Sequence, residues 1–190
     1  MSFQSWWHFR RVRFYLFCNK PEQAIAALKD VLSVDPSNTI AASSLGFQYG
    51  EKEDYDAAAA QFQSVLRITP NDADTQFNLG FIRQKQNRHE DAIALFESAV
   101  AVNKSLDRAW FGLGMSQAAL NRREAAIVSF EHAAKLQPMN PHALYEMGMQ
   151  HHALGQNDKV SDVITRLKQF DPKATAQLVQ ATQPAAPSPR

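Results

Sequence analysis

The sequence predicts an all-α fold, a right-handed α-solenoid of stacked antiparallel helix pairs, and three observations indicate it. Glycine recurs every 34 residues, at Gly46, Gly80, Gly114 and Gly148. Between these glycines, apolar residues are spaced three and four apart, which is the period of an amphipathic helix. No segment shows the strict polar and apolar alternation of a half-buried strand. A fixed period of this length is typical of repeat proteins, whose units bury their apolar faces against one another.

Other landmarks keep the same step of 34 residues. Small residues recur and are each followed four positions later by a large apolar residue: Ala24 and Leu28, Ala58 and Phe62, Ala92 and Phe96, Ala126 and Phe130, Val160 and Ile164. Prolines stand at Pro36, Pro70, Pro138 and Pro172. The register predicts one domain over residues 1–174, with repeats at about 5–38, 39–72, 73–106, 107–140 and 141–174.

The fourth repeat shows how each element is predicted. Trp110, Leu113, Gly114 and Gln117 lie on one face of a first helix, and residues 121–123 form a turn. A second helix carries Ala126 and Phe130 inward and ends before Pro138, since proline lacks an amide donor. Asn140 and Pro141 fit an N-cap and first helical residue. Although glycine costs about 1 kcal/mol in a helix relative to alanine, Gly114 facing Ala126 would let the two helices approach closely, with Phe130 packed beside them.

The two ends of the chain depart from the repeat. In the first repeat, Arg11 and Val12 stand where the others have leucine or methionine followed by glycine. Residues 175–182 are predicted to form a helix that caps the last repeat, because a solenoid otherwise exposes its core at the end. Residues 183–190 are rich in proline and are predicted to be a disordered tail.

Composition excludes several classes of function. The 190 residues carry 20 basic and 19 acidic side chains, so the net charge of +1 gives no reason to expect nucleic acid as a partner. The lone Cys18 excludes an internal disulfide and a cysteine-based zinc site, and it fits a reducing, cytoplasmic location. Arginines interrupt the apolar residues 9–18, which therefore resemble neither a signal peptide nor a membrane span.

These residues resemble the tetratricopeptide repeat (TPR) family, whose pattern has W-x2-L-G, then A-x3-F, a further alanine and a proline. The fourth repeat matches at Trp110, Leu113, Gly114, Ala126, Phe130, Ala133 and Pro138. The resemblance covers about residues 5–174. It implies a superhelix whose first helices line a concave groove that holds peptides or helices of other proteins. It implies recognition without catalysis and without a cofactor.

Large apolar residues recur on a second face of the first helices. This predicted groove stripe comprises Phe47, Phe77, Phe81, Phe111, Met115, Tyr145 and Met149. One interpretation is that the stripe binds a partner, since no further helix layer covers the concave side. The other is that it packs between neighbouring first helices, as such stripes usually do.

The family's best-known groove is a clamp of lysines, arginines and asparagines for a C-terminal carboxylate. Here Phe77, Phe81, Phe111 and Met115 stand where that clamp needs polar residues, and Asn78 alone cannot supply it. The predicted partner is therefore a protein with an apolar peptide or an amphipathic helix. No metal site is predicted, because His142 and His152 lie roughly 15 Å apart along one helix. No catalytic motif occurs either, so the chain is predicted not to be an enzyme.

The N-terminal segment is aromatic and basic. Its predicted contact residues are Trp6, Trp7, Phe9, Arg10, Arg13, Phe14 and Phe17. Spread around the helical circle, these side chains are predicted to dock on an anionic membrane surface or on a second copy of the chain. Alternatively, the rings fold onto Ala24, Leu28 and Val31 with the arginines outward.

The function predicted from the sequence is a non-enzymatic adaptor or scaffold. Two alternatives stay open. One is a peripheral membrane assembly factor docked through the N-terminus. The other is the recognition subunit of an enzyme whose catalytic chain is separate.

Overall fold

The computed structural model describes residues 10–15 and 17–182. Residues 10–15 and 17 are helical, and the helices that follow begin and end as predicted by the repeat. They are α1 Pro21–Val34, α2 Thr39–Glu51, α3 Tyr55–Ile68, α4 Ala73–Lys85, α5 His89–Val102, α6 Asp107–Ala119, α7 Arg123–Leu136, α8 Pro141–Ala153, α9 Asn157–Lys168 and α10 Pro172–Thr182. The described residues contain no β-strand, and the predicted all-α class is confirmed.

Contacts divide the chain into two compact units, one ending at Val102 and the other beginning at Asn103. In the first unit, α2 pairs with α3 and α4 pairs with α5. In the second unit, α6 pairs with α7 and α8 pairs with α9. The last helix, α10, packs against both α8 and α9. Among the described residues, no helix is both long and apolar enough to cross a membrane.

The turns and caps also follow the period of 34. The residue three or four positions after each first helix has positive φ, at Asn19, Glu53, Asn87, Asn121 and Gly155. Asparagine and glycine tolerate this left-handed conformation well, so four of the five turns have suitable residues. Asn140 caps α8 as predicted, with its Oδ1 accepting from the His142 amide at 3.1 Å. Arg123, which the sequence placed in a turn, is the first residue of α7.

The glycines of the three middle repeats lie directly beneath phenylalanine rings. A Cβ atom added at Gly114 would lie 2.6 Å from Phe130 Cε1, and one at Gly80 would lie 2.8 Å from Phe96 Cε1. Gly46 has the same relation to Phe62, at 3.0 Å. The expectation that Gly114 faces Ala126 is thus corrected, because the Phe130 ring occupies the nearest space. The glycine makes room for a whole aromatic side chain.

The terminal repeats solve the same packing problem differently. In the first repeat, Val12 stands in the glycine position, and it is buried in one cluster with the smaller Leu28. In the last repeat, Gly148 lies beneath Leu178 of α10, with 2.7 Å from an added Cβ to Leu178 Cδ2. The residue in the phenylalanine position, Ile164, is only half-buried. α10 therefore supplies core atoms to the repeat that precedes it.

Candidate functional site

The first unit exposes two phenylalanines at equivalent positions of successive first helices. Phe47 of α2 is 57% exposed, and Phe81 of α4, 34 residues later, is 44% exposed. The two helices are neighbours, because a Cβ added at Gly50 of α2 would lie 3.3 Å from Ile82 Cδ1 of α4. The Lys85 ammonium lies 5.3 Å from the centre of the Phe81 ring, a distance suited to a cation–π interaction.

The remaining phenylalanines of the predicted groove stripe lie deeper. Phe77 is half-buried, and its ring centroid lies 5.9 Å from that of Phe96. Phe111 is half-buried in the same way, 5.6 Å from Phe130. Each ring therefore packs onto the phenylalanine that covers the glycine of its own repeat. The predicted stripe consists of an inner row, which supports the core, and an outer row, which in the first unit is exposed.

In the second unit, the stripe residues Met115, Tyr145 and Met149 are half-buried against the apolar core. Beside them is a cleft of about 760 Å³ between α8 and α10. Tyr145 and Glu146 line it from α8, and Gln177 and Gln180 line it from α10. A smaller cleft of about 150 Å³ lies between α6, α7 and α8 and is lined in part by Phe111.

Glu146 is a functional residue that the groove prediction missed. Burial raises the pKa of its carboxyl group, while the charge of nearby His142 acts in the opposite direction. Among the described residues, no hydrogen bond or ion pair satisfies this carboxyl group. A comparison across repeats could have found it, because the equivalent positions in the other described repeats hold Arg10, Ser44, Asn78 and Gly112.

Two buried polar residues belong to the framework instead. Arg83 donates to Gln86 Oε1 at 2.8 Å, and burial lowers the pKa of its guanidinium. Gln117, at the equivalent position one repeat later, accepts from Ser129 Oγ at 2.7 Å. Both side chains satisfy partners within their own repeat or turn, so neither is directed at a ligand. Within residues 10–15 and 17–182, no group of three or more acidic, histidine or cysteine side chains is arranged to hold a metal ion.

The N-terminal segment has two faces. Val12 is buried and Tyr15 half-buried on the first unit, where Arg11 Nη1 lies 3.2 Å from Asp30 Oδ2. On the other face, Phe14 is 60% exposed and Phe17 is 90% exposed. Arg10 and Arg13 are also exposed. Trp6, Trp7 and Phe9, which the sequence analysis placed in the same contact surface, lie outside the described residues.

Helix pairs at a constant step, with apolar and cleft-forming surfaces on their first helices, define an all-helical repeat protein shaped for recognition. Three family models match the sequence: a TPR repeat model at residues 46–87, and tetratricopeptide repeat models at 77–141 and 8–38. Together they span more than half of the chain. The chain belongs to the tetratricopeptide repeat family, as its repeat pattern predicted. This family typically provides scaffolds for protein interaction.

Solved structures share the fold. A MamA structure from Desulfovibrio magneticus RS-1 is 18% identical, covers 97% of this chain and 99% of its own, and has a TM-score of 0.80. YrrB, described as a TPR protein with an unusual peptide-binding site, is 22% identical, with coverages of 91% and 90% and a TM-score of 0.78. PilF of Pseudomonas aeruginosa is 18% identical, with coverages of 94% and 84% and a TM-score of 0.77. A comparison with curated protein sequences found no match.

Proposed function

We propose that this protein is a non-enzymatic adaptor that binds an apolar peptide or the apolar face of an amphipathic helix. The observation that carries the proposal is the exposure of Phe47 and Phe81 on neighbouring first helices of the first unit. Membership of the TPR family and the peptide-binding site attributed to YrrB support the same function.

Two exposed rings at matched positions favour an apolar ligand energetically. Burying a phenylalanine side chain contributes about 1.5–3 kcal/mol, and aromatic anchors commonly dominate binding energy. Because both residues lie one helical repeat apart on adjacent helices, an extended or helical ligand can contact both. In the second unit, the half-buried Met115, Tyr145 and Met149 offer less apolar area.

A random 16-residue peptide display library tests this function. Selection on the wild type should yield apolar or amphipathic peptides that bind at least about ten-fold more weakly to the Phe47→Ser/Phe81→Ser double variant, as expected for the loss of anchor side chains. The control is Val128→Ser, which removes an equally exposed apolar side chain from the second helix α7. Failure to select any peptide, or selected peptides that bind both variants as well as the wild type, would contradict the proposal.

A second candidate function, peripheral membrane contact, has its own supporting observation. Phe14 and Phe17 are exposed on the same short segment as Arg10 and Arg13. Apolar rings with adjacent cations suit an anionic bilayer surface. Flotation with phosphatidylserine vesicles should recover the wild type, and Phe14→Ser/Phe17→Ser should reduce recovery. Equal recovery of the two proteins, or none, would contradict membrane docking. Light scattering of the same samples tests the homodimer that the sequence also suggested.

A further inference from the structure

Helix α8 differs from the other first helices at two adjacent positions. Tyr145 replaces the phenylalanines found at Phe77 and Phe111, and Glu146 stands where the described repeats have Arg10, Ser44, Asn78 and Gly112. Both side chains line the cleft of about 760 Å³ that separates α8 from α10. The cleft exists only in the last repeat of the second unit, because α10 is the helix that forms its opposite wall.

The charges around this cleft leave one carboxylate without a partner. The other titratable groups that line it are His142, Tyr145, Asp171 and Lys173. Asp171 is occupied, since its Oδ1 accepts from the Ala174 amide at 2.8 Å and caps α10. Glu146 has no such bond among the described residues, and its carboxyl group is half-buried. A half-buried carboxylate is stabilised when a cation reaches it, because the attraction is screened less there than at an open surface.

We propose that the cleft between α8 and α10 binds a peptide that carries one basic side chain, with its ammonium or guanidinium paired to Glu146. The Tyr145 ring, which lines the same cleft, can stack against the bound cation. Gln177 and Gln180 of α10 offer amide donors and acceptors for the peptide backbone. The ligand charge is opposite to that of the C-terminal carboxylates bound by the best-known members of the family.

Two features narrow the ligand further. Lys173 also lines the cleft and repels a second positive charge, so a single basic residue is favoured over a polybasic stretch. One carboxylate cannot supply the several oxygen ligands that a divalent cation requires, which excludes an ion as the main occupant. This inference rests on the proposed function, because it takes peptide binding by the first helices as given and assigns the ligand chemistry of one cleft.

A random 12-residue peptide display library, selected on the full chain, tests the inference. Peptides selected by the wild type should be enriched in single arginines or lysines, and selection on Glu146→Gln should lose this enrichment. A selected arginine peptide and its citrulline analogue, which has the same shape without the charge, are then compared by calorimetry. The wild type should bind the arginine form at least about ten-fold more tightly, consistent with one charge-assisted hydrogen bond. Glu146→Gln should bind both forms equally.

Glu124→Gln is the matched control, since Glu124 is an exposed glutamate of α7. This variant should discriminate between the two peptides as the wild type does, and circular dichroism checks that both variants fold. The inference is overturned if wild-type selections show no basic enrichment, if Glu146→Gln keeps the discrimination, or if Glu124→Gln loses it. Apolar peptides selected without basic residues would leave the proposed function standing while this inference fails. A library that yields no binder would contradict both.

Discussion

The middle repeats and the last repeat achieve the same close approach of helices with different partners. At Gly46, Gly80 and Gly114, the space above the glycine is filled by a phenylalanine from the second helix of the same repeat. At Gly148, it is filled by Leu178, which lies beyond the repeat in α10. The difference shows that the glycine defines a cavity to be filled, and that the chain fills it at the end of the stack with the helix that follows.

This substitution also creates the cleft at Glu146. Because Leu178 anchors α10 over α8, the two helices are held side by side with Tyr145 and Glu146 on the wall between them. In the middle repeats, the phenylalanine comes from the repeat itself, so the glycine contact involves no helix beyond the pair. The terminal packing solution and the candidate ligand site are therefore two consequences of one helix.

The largest test of the comparison is Leu178→Ala. Leu178 is fully buried, so the substitution leaves a cavity and should lower the free energy of unfolding by about 2–5 kcal/mol. Gln177→Ala, on the exposed face of the same helix, should change it by less than about 0.5 kcal/mol. Urea denaturation followed by circular dichroism measures both. A small effect of Leu178→Ala would mean that α10 is not part of the core.

The glycine side of the contact is tested by Gly114→Ala. The new methyl group would lie 2.6 Å from the fully buried Phe130 ring, and such overpacking should cost about 1–3 kcal/mol despite alanine's better helix propensity. Gly50→Ala is the control, since its methyl would meet only Ile82 Cδ1, at 3.3 Å. Urea denaturation should place this control within about 0.5 kcal/mol of the wild type. Equal losses at the two glycines would argue against the specific fit to phenylalanine.

The sequence predicts the regular part of this structure well, because helix boundaries and turn positions depend on spacing within one repeat. It does not distinguish Phe77 from Phe81, since both lie on the predicted stripe, and burial depends on how far each ring reaches over Phe96. It assigned the last repeat's packing to Ile164, because nothing in the period shows that Leu178 can reach Gly148. Glu146 was recognisable only as a departure from the repeat, and its isolation from other charges depends on the position of α10.

The two rows of phenylalanines provide a smaller contrast. Phe77→Ala removes a ring packed on Phe96 and should destabilise the protein by about 1 kcal/mol more than Phe81→Ala, which truncates a partly exposed ring. Binding should show the opposite order, with the selected apolar peptides losing more affinity in Phe81→Ala. Urea denaturation and calorimetry on the same samples separate the two effects. If Phe81→Ala proved the more destabilising and left binding unchanged, the outer row would be core.

The smallest expected effect concerns the turns, where the second repeat is the exception. Glu53 has φ 59°, while the equivalent residues Asn87 and Asn121 both have φ 58°. A left-handed conformation costs most L-residues about 1–2 kcal/mol, and asparagine bears it better. Glu53→Asn should therefore raise the free energy of unfolding by about 0.5–1 kcal/mol, and the reciprocal Asn87→Glu should lower it by a similar amount. Urea denaturation of both variants checks the pair. Because each is a change at an exposed turn residue, effects of equal sign would show that backbone conformation does not determine the preference.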